Sequence, residues 1–391
     1  MKKVLFGITS LTLGGAERVL VDLANQLCEK FEITIFTIYA KGELEKQLNP
    51  KVRLKSLYQT SHLELSKVQR NIIMPLKLLI EKNKIYNNKI KENYDVEIAF
   101  LEGPITRLFS VKNKKTRKIA WIHNDISLVF GTGIKSKIKK KIDKKIYTKY
   151  ETLIFVSRDN LKKFKSIYPE IRNKYLEPVK KDVIYNYIDK KSILEKAEQE
   201  QKIKFSKDSI NFVTVARLVK QKGIDRIIKV HQKLQENGFR HHFYVIGDGP
   251  EKEKLQEMIK KYKIEDTFCL LGKKENPYPY IRNSDYFCLL SYFEGYGMVL
   301  EEAKILNKPI IITDTAAREA IEKYNNSMVL ENTEDSIYEG MKKVIKENKK
   351  NFCEKENEII DYDNSKILQK VINLIEKWGE LYENISINTY L

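Results

Sequence analysis

The sequence predicts an α/β protein made of two doubly wound, Rossmann-like parallel-sheet domains that face each other across a cleft. Short β-branched and aromatic runs alternate with longer helical patterns along the chain, which is typical of βαβ units. These runs form two series on either side of a polar segment at residues 190–209. The 391 residues, 42% of them apolar, are enough to bury two cores. Because such sheets bind ligands beyond the carboxyl ends of their strands, we expect the site in the cleft.

Each series supplies six predicted strands. In the first series they are residues 4–8, 33–38, 96–100, 118–122, 153–156 and 183–185. In the second series they are residues 211–215, 243–246, 268–271, 286–290, 309–313 and 328–330. Lys2 and Lys3 resemble the start of a secretory signal, but Gly7 and Thr9 interrupt the apolar run that follows, which favours a strand. The predicted domains are residues 1–189 and 190–364, and a C-terminal helix at 365–391 is expected to pack back on the first domain.

Composition excludes several classes of protein. No apolar run reaches the roughly 18 residues that a membrane-spanning helix needs. The four cysteines form no CxxC pair and no zinc-like spacing with histidine. We therefore expect reduced core cysteines, as in a cytosolic protein, and neither a disulfide scaffold nor structural zinc.

The excess of positive charge lies in the first half of the chain. Residues 1–190 contain 39 Lys or Arg against 20 Asp or Glu, whereas residues 191–391 contain 33 of each, so the first half carries the whole net charge of +19. This asymmetry predicts an anionic partner for the first domain, either a phospholipid surface or a nucleic acid. Because the sequence shows no nucleic-acid recognition module and most of its cations are lysine, we expect an anionic membrane surface and no nucleic acid.

The richest basic stretch is residues 134–149. Four isoleucines recur there at a spacing of four among eight lysines, namely Ile134, Ile138, Ile142 and Ile146. The pattern fits a helix lying in a membrane interface, and it equally fits a surface helix whose isoleucines pack on the core. Under the first interpretation, six lysines are the predicted membrane contacts: Lys135, Lys139, Lys140, Lys141, Lys144 and Lys145.

Glycines follow two of the predicted strands. Gly14 and Gly15 stand between the first strand and a helix, where open backbone N–H groups and the helix dipole favour a phosphate. A tight turn is the alternative. Gly247, within IGDGP at 246–250, closes a strand of the second domain with a loop.

Two cations and two carboxylates follow strands of the second domain. Arg217 and Lys222 come after the strand 211–215 and suit a diphosphate, although surface cations are common in this chain. Glu294 and Glu302 lie on either side of a helix start near Gly297, and carboxylates there can accept hydrogen bonds from vicinal hydroxyls. A helix-capping acid and a solvated glutamate are the alternative.

Taken in order, these pieces resemble the retaining glycosyltransferases of family 4, which have the GT-B fold. The matching segments are GGAER at 14–18, WIHND at 121–125, FVS at 155–157, IYNYID at 184–189, VARLVKQKGID at 215–225, IGDGP at 246–250, residues 291–302 and KPIIITD at 308–314. Eight ordered matches cover nearly the whole chain.

The resemblance implies a nucleotide-sugar donor held mainly by the second domain. Arg217 and Lys222 would bind the diphosphate, Glu302 the ribose hydroxyls and Glu294 the hydroxyls of the transferred sugar. Further donor contacts would come from Gly14, Gly15, Gly247, Gly295, Tyr296, Gly297 and Met298. His123 would lie near the transferred sugar and the acceptor. The residues expected to take part in catalysis are then Glu294, His123, Arg217 and Lys222.

Two positions depart from the family pattern. Glu301 stands where the family usually has an apolar residue, and helix register makes Glu302 the expected ribose ligand. Tyr296 stands where phenylalanine is common, which would add a hydroxyl near the donor. No cofactor and no metal are expected, since the Asp361-Tyr362-Asp363 triplet resembles a metal-binding motif of another architecture but follows no strand-end glycine loop.

The leading hypothesis is a retaining, metal-independent hexosyltransferase at the cytoplasmic face of the cell membrane. It would move a hexose or N-acetylhexosamine from a nucleotide-sugar, a UDP-sugar by the resemblance, to a lipid-linked or oligosaccharide acceptor in capsule, exopolysaccharide or other cell-envelope glycan synthesis. Two alternatives stay open. One is a sugar-nucleotide epimerase or hydrolase on the same fold, and the other is a non-catalytic membrane-docking partner.

Overall fold

The computed structural model describes residues 1–61, 64–66, 68–90, 92–126, 134–172, 178–199, 205–347 and 364–376. Contacts divide the chain into two compact units, one made of residues 1–187 with the stretch from 363 onward and the other of residues 188–362. Each unit contains one parallel β-sheet with helices in the connections between its strands. The prediction of two Rossmann-like parallel sheets is therefore confirmed.

Within its described residues, the first unit has a seven-stranded sheet. Its strands are β1 (Lys3–Ile8), β2 (Glu32–Tyr39), β3 (Arg53–Tyr58), β4 (Val96–Ala99), β5 (Arg117–Ile122), β6 (Thr152–Phe155) and β7 (Lys180–Val183). All neighbours pair in parallel, in the order β3-β2-β1-β4-β5-β6-β7. Its helices are α1 (Gly15–Leu27), α2 (Met74–Ile80), α3 (Lys82–Lys89), α4 (Pro104–Phe109), α5 (Ile134–Tyr147) and α6 (Arg158–Ile167).

The two edges of this sheet differ from the prediction. β3 was not predicted, and β7 lies at 180–183 instead of 183–185. Both strands pair on one side only, so their sequences carry lysine and arginine where a central strand would be apolar. The apolar runs that identify central strands are absent from RLKSLY and KKDV.

The second unit has a six-stranded parallel sheet among its described residues. Its strands are β8 (Ile210–Val215), β9 (His241–Ile246), β10 (Phe268–Gly272), β11 (Tyr286–Leu289), β12 (Ile310–Thr313) and β13 (Ser327–Leu330), in the order β10-β9-β8-β11-β12-β13. Its helices are α7 (Lys190–Ala197), α8 (Ile224–Glu236), α9 (Lys252–Tyr262), α10 (Tyr278–Asn283), α11 (Met298–Ile305), α12 (Arg318–Ile321) and α13 (Glu334–Glu347). The strand order reverses between β8 and β11, which is where doubly wound sheets bind ligands.

An aromatic row fixes the register of the second sheet. Phe268, Phe243, Phe212 and Tyr286 stand directly opposite one another on four adjacent strands. Their rings stack with neighbouring centroids 5.3, 6.1 and 5.4 Å apart. Since a shift by one residue would turn these rings to the other face, the row holds β8 and β11 in one alignment.

A C-terminal helix, α14 (Asn364–Glu376), completes the first unit. The guanidinium of Arg117 donates a hydrogen bond to the carbonyl of Leu374, and the ammonium of Lys2 donates to the carbonyl of Glu376 at 2.8 Å. Cations at the last carbonyls of a helix satisfy unpaired acceptors and complement the helix dipole. None of the described helices has both the length and the apolar character needed to cross a bilayer.

A buried ion pair joins the centre of the first sheet. Lys118 on β5 stands opposite Glu97 on β4, with Nζ 2.7 Å from Oε2 and both side chains almost fully buried. The hydroxyl of Tyr86 also donates to this carboxylate, so α3 is tied to the strands beneath it.

We expect Lys118→Met to destabilise the protein by about 3–5 kcal/mol, because it leaves the Glu97 carboxylate buried without its cation. Urea unfolding followed by circular dichroism measures this change. The exposed Lys114 supplies the control, and Lys114→Met should stay within about 0.5 kcal/mol of wild type. Equal unfolding midpoints for the two variants would show that the Lys118–Glu97 ion pair does not contribute to stability as expected.

Candidate active site

The predicted donor residues of the second unit gather at the carboxyl ends of β8 and β11. Arg217 follows β8 with an exposed side chain, and Lys222 ends the 3₁₀ turn Lys220–Lys222. Glu294 lies in the loop after β11. Because β8 and β11 are adjacent at the reversal of strand order, residues far apart in sequence meet at one sheet edge.

The centre of this site is an ion pair. Nζ of Lys222 lies 2.6 Å from Oε1 of Glu294, and the hydroxyl of Ser291 donates to the same oxygen at 2.5 Å. The Glu294 side chain is 5% exposed and that of Lys222 is 20% exposed. Among the described residues, Oε2 of Glu294 and two of the three N–H donors of Lys222 have no further hydrogen bond. These atoms are available to a ligand with hydroxyl and anionic groups.

Gly223 allows the loop carrying Lys222 to approach the end of β11. Its φ of 65° is left-handed, and a Cβ atom there would lie 2.7 Å from the carbonyl oxygen of Leu290. Glycine avoids both the strain and the clash. The side chain of Gln221 adds a hydrogen bond to the carbonyl of Phe293 at 3.0 Å. The two loops are thus held in direct contact.

The buried side chain of Arg226 holds the loop after β11 in place. This residue was not predicted from the sequence as part of the site. The residue is 1% exposed, and its Nε and Nη2 donate to the carbonyl of Leu290 at 3.0 and 2.7 Å. Nη1 donates to the side chain of Asn332 at 2.6 Å. The sequence signal was available, since Arg226 continues the buried row of Val230 and Leu234 at a spacing of four on α8. A charged residue in an otherwise apolar helix row indicates a buried side chain that forms hydrogen bonds inside the protein.

The N-terminus of α11 adds backbone donors to the site. Gly297 precedes the helix with a φ of 75° and gives it no side-chain cap. Gly295, Gly297 and Met298 are all half-buried. A helix N-terminus without a side-chain cap favours an anionic group.

The two departures from the family pattern contact each other. The hydroxyl of Tyr296 donates to Oε1 of Glu301 at 2.7 Å, and Nζ of Lys304 lies 2.6 Å from Oε2. Glu301 is 1% exposed, and burial raises the pKa of its carboxyl, an effect that Lys304 and Tyr296 oppose. The hydroxyl of Tyr296 thus forms a hydrogen bond inside the protein, and its nearness to the donor stays a prediction.

Glu302 lies on a different face of α11 from the buried Glu301. Successive helical residues are rotated by about 100°, so a buried Glu301 leaves Glu302 half-buried. The hydroxyl of Tyr278, from the start of α10, lies 3.4 Å from Oε1 of Glu302. The side chain of Glu302 is thus only partly shielded from solvent.

The backbone conformation and surroundings of Gly247 require a glycine. Its φ is 148°, and a Cβ atom would lie 1.9 Å from the carbonyl oxygen of Ala216. The close passage of β9 beside the loop that begins after β8 requires the missing side chain. A contact of Gly247 with the donor stays a prediction.

Gly14 and Gly15 lie in the first unit, at the junction of β1 and α1. Gly15 is exposed as the first residue of the helix, and Gly14 provides no side-chain cap. A Cβ atom on Gly14 would lie 2.1 Å from Oε2 of Glu17. The carboxylate of Glu17 thus stands at the helix N-terminus in this conformation, where a phosphate would otherwise be favoured.

His123 lies after β5 in the first unit, beside the rings of Phe100 and Trp121. Its backbone N–H donates to Glu102 at 3.0 Å, while its Nε2 is buried without a hydrogen-bond partner among the described residues. Burial lowers the pKa of His123 to about 3, so the imidazole is neutral at physiological pH. A neutral, unpaired ring nitrogen can bind a ligand hydroxyl.

The isoleucine row of α5 does not pack on the core as one stripe. Ile138 and Ile142 are 55% and 36% exposed, whereas Ile146 is buried. A spacing of four drifts by about 40° per step around a helix, so the row winds from the solvent side to the buried side. Core packing is therefore wrong for Ile138 and Ile142, whose neighbours Lys139, Lys141, Lys144 and Lys145 are exposed and Lys140 half-buried. The side chains of Ile134 and Lys135 lie outside the described residues.

No group of three or more metal-binding side chains occurs in the part of the chain that the structure describes. The Asp361-Tyr362-Asp363 triplet lies outside it.

Comparison with known proteins identifies the family. Residues 195–389 match the model of the family described as glycosyl transferases group 1. The chain belongs to this family. It is 28% identical over 359 residues to a Campylobacter jejuni N-acetylgalactosamine-N,N'-diacetylbacillosaminyl-diphospho-undecaprenol 4-alpha-N-acetylgalactosaminyltransferase, covering 89% of this chain and 92% of the relative. A second relative comes from the same organism and is also named as an N-acetylgalactosaminyltransferase. It is the GalNAc-alpha-(1->4)-GalNAc-alpha-(1->3)-diNAcBac-PP-undecaprenol alpha-1,4-N-acetyl-D-galactosaminyltransferase, 27% identical over 78% of this chain and 77% of its own length.

Solved structures confirm the GT-B fold of this group 1 glycosyltransferase. Anabaena HepE, in complex with UDP and glucose, aligns with a TM-score of 0.70 at 16% identity. The alignment covers 96% of this chain and 99% of HepE.

A double-mutant cycle tests the buried Tyr296–Glu301 contact. Tyr296→Phe and Glu301→Leu should each destabilise the protein by about 1–3 kcal/mol, because each leaves a buried polar partner unpaired. The double variant should lose less than the sum by about 0.5–3 kcal/mol, measured by urea unfolding. Strict additivity would show that the two side chains do not act together.

Proposed function

We propose that this group 1 glycosyltransferase is a retaining, metal-independent enzyme of family 4. In this proposal it transfers a hexose or N-acetylhexosamine from a UDP-sugar to a lipid-diphosphate-linked acceptor during capsule or other cell-envelope glycan synthesis. The observation that carries the proposal is the ion pair of Lys222 and Glu294 at the carboxyl ends of β8 and β11. This ion pair places a cation that could bind phosphate next to a carboxylate that could bind sugar hydroxyls.

The donor would lie along this sheet edge. Lys222 has two N–H donors without a partner among the described residues, which could bind a diphosphate oxygen. The exposed guanidinium of Arg217 offers a second, forked contact. Oε2 of Glu294 would accept a hydrogen bond from a sugar hydroxyl, and Glu302 from the ribose hydroxyls. The choice of uridine as the base comes from the family resemblance alone.

The reaction needs little covalent chemistry from the protein. The acceptor oxygen forms a bond to the anomeric carbon while the bond from that carbon to the diphosphate oxygen breaks, on the same face of the sugar. The acceptor proton passes to an oxygen of the departing diphosphate. Lys222 and Arg217 would stabilise the negative charge that grows on this leaving group. His123, neutral and with an unpaired ring nitrogen, would accept a hydrogen bond from a sugar or acceptor hydroxyl.

The acceptor class is supported by the relatives. The two Campylobacter jejuni enzymes are named for acceptors linked through a diphosphate to undecaprenol. A lipid acceptor agrees with a first half that carries the whole net charge of +19 and with the exposed lysines of α5. These lysines are the proposed contacts with an anionic membrane surface.

Substitution at the site tests the proposal. Lys222→Ala and Glu302→Ala should each lower the rate of sugar transfer by about 100-fold or more, because each removes a preorganised contact with the donor. The assay supplies UDP-N-acetylgalactosamine or UDP-glucose with an undecaprenyl-diphosphate-linked sugar. Lys260→Ala and Glu257→Ala change the same residue types at exposed positions of α9 and should keep the wild-type rate. Turnover near wild type in Lys222→Ala or Glu302→Ala would refute the site.

Metal removal tests the charge balance. We expect transfer to continue at the same rate in EDTA, because Lys222 and Arg217 supply the positive charge that a metal would otherwise bring to the diphosphate. Loss of transfer in EDTA with recovery on adding Mg²⁺ would contradict metal independence. Proton NMR of the product reports its anomeric configuration, and inversion would contradict retention.

A further inference from the structure

The first unit exposes an apolar helical segment that its fold does not explain. A π-helical turn, Gln69–Ile73, continues into α2, and their outer face carries Val68, Ile72, Ile73, Leu76 and Ile80. These side chains are 49–73% exposed. Of eleven exposed large apolar side chains among the described residues, five lie in this stretch. We call these five residues the outer apolar face.

The outer apolar face is additional to the face that packs on the core. Leu78 is 2% exposed within the core of the first unit, and Met74 packs against that core. Ile72, Leu76 and Ile80 follow one another at a spacing of four and lie on the opposite side from Leu78. A helix that is apolar on both sides is typical of an element buried on both sides, in protein or in a membrane.

The sequence around this face is strongly basic, which suits contact with an anionic membrane. Residues 67–91 contain seven Lys or Arg and one acidic residue, Glu81. Lys77, Lys84 and Lys89 are exposed. Apolar side chains beside a row of lysines, with almost no acids, are the pattern by which helices bind anionic lipid interfaces. A protein partner's apolar patch would not require this excess of cations.

A second exposed apolar row lies on a neighbouring helix. Ile138 and Ile142 of α5 are exposed among lysines, and both α2 and α5 pack against α4. The two rows therefore belong to helices that share α4 as a neighbour. α5 is held in place from its inner side by the ion pair of Asp143 with Arg107 of α4, at 3.0 Å. The exposed isoleucines are thus presented by a fixed helix.

We propose that the outer apolar face of residues 68–80 inserts into the headgroup region of an anionic bilayer, with the exposed lysines of α2, α3 and α5 contacting lipid phosphates. This docking surface rests on the proposed function in one respect, because it would bring the enzyme to a lipid-linked acceptor. It differs from the lysine contacts above by assigning membrane affinity to apolar side chains on a separate helix.

Vesicle flotation of the purified full chain tests the docking surface. The variant Leu76→Ser/Ile80→Ser removes apolar surface without changing charge, and we expect it to lower binding to phosphatidylglycerol-containing vesicles by about tenfold or more. Leu194→Ser/Val329→Ser removes two exposed apolar side chains of the second unit and should bind like wild type. Circular dichroism and thermal unfolding establish that each variant is folded.

Three results would overturn the proposal. One is wild-type binding by folded Leu76→Ser/Ile80→Ser, and another is equal binding of wild type to phosphatidylglycerol and pure phosphatidylcholine vesicles. The third is a wild-type dimer in size-exclusion chromatography that this variant loses, since the face would then contact a second copy. Calorimetric UDP binding by the same variant separates the two proposals, because it reports the donor site without vesicles and should equal wild type.

Discussion

The candidate donor site depends on one buried guanidinium. Arg226 holds the carbonyl of Leu290 with two N–H groups and the side chain of Asn332 with a third, so it joins the start of α8 to the ends of β11 and β13. The Asn332 amide in turn donates to the carbonyl of Tyr292 at 2.8 Å, and the Tyr292 ring lies 4.3 Å from the guanidinium carbon. A buried arginine is stable only when its donors are satisfied, and here the acceptors are the carbonyl of Leu290 and the side chain of Asn332. These contacts hold the loop that places Glu294 beside Lys222.

Most of the fold could be predicted because central parallel strands are buried on both faces. Their apolar runs, such as IIIT in β12, are visible without any knowledge of pairing. β3 and β7 were missed or misplaced because edge strands need fewer apolar residues. The strand order and the meeting of Lys222 with Glu294 arise from crossovers of many residues, and no local pattern encodes those contacts.

The sequence indicated where the candidate site lies, but it did not indicate which side chains contact each other there. Family resemblance and strand ends pointed to Arg217, Lys222, Glu294 and Glu302 as candidates, whereas the pairing of Tyr296 with Glu301 is visible only in the structure. Each residue taken alone was a departure from the family pattern, and together they form a satisfied buried contact. Such compensation is invisible in a single sequence because it depends on which sides of a loop and a helix face each other.

Charge divides the chemistry of the chain between its units. The second half is neutral in sum and concentrates a few cations where a diphosphate would lie, whereas the first half spreads lysines over helix surfaces. Local pairing suits recognition of one small anion, and dispersed charge beside apolar side chains suits an extended anionic surface. Under the proposed function, one chain would thus separate donor recognition from attraction to the acceptor's membrane.

The most direct measurement is isothermal titration of UDP, GDP, ADP and CMP into the purified protein in EDTA. If the ends of β8 and β11 form a metal-independent uridine-nucleotide site, UDP binds with one site per chain and the other three bind more weakly. Absence of heat from all four nucleotides, with the protein folded, would contradict the central claim that these strand ends hold a nucleotide-sugar.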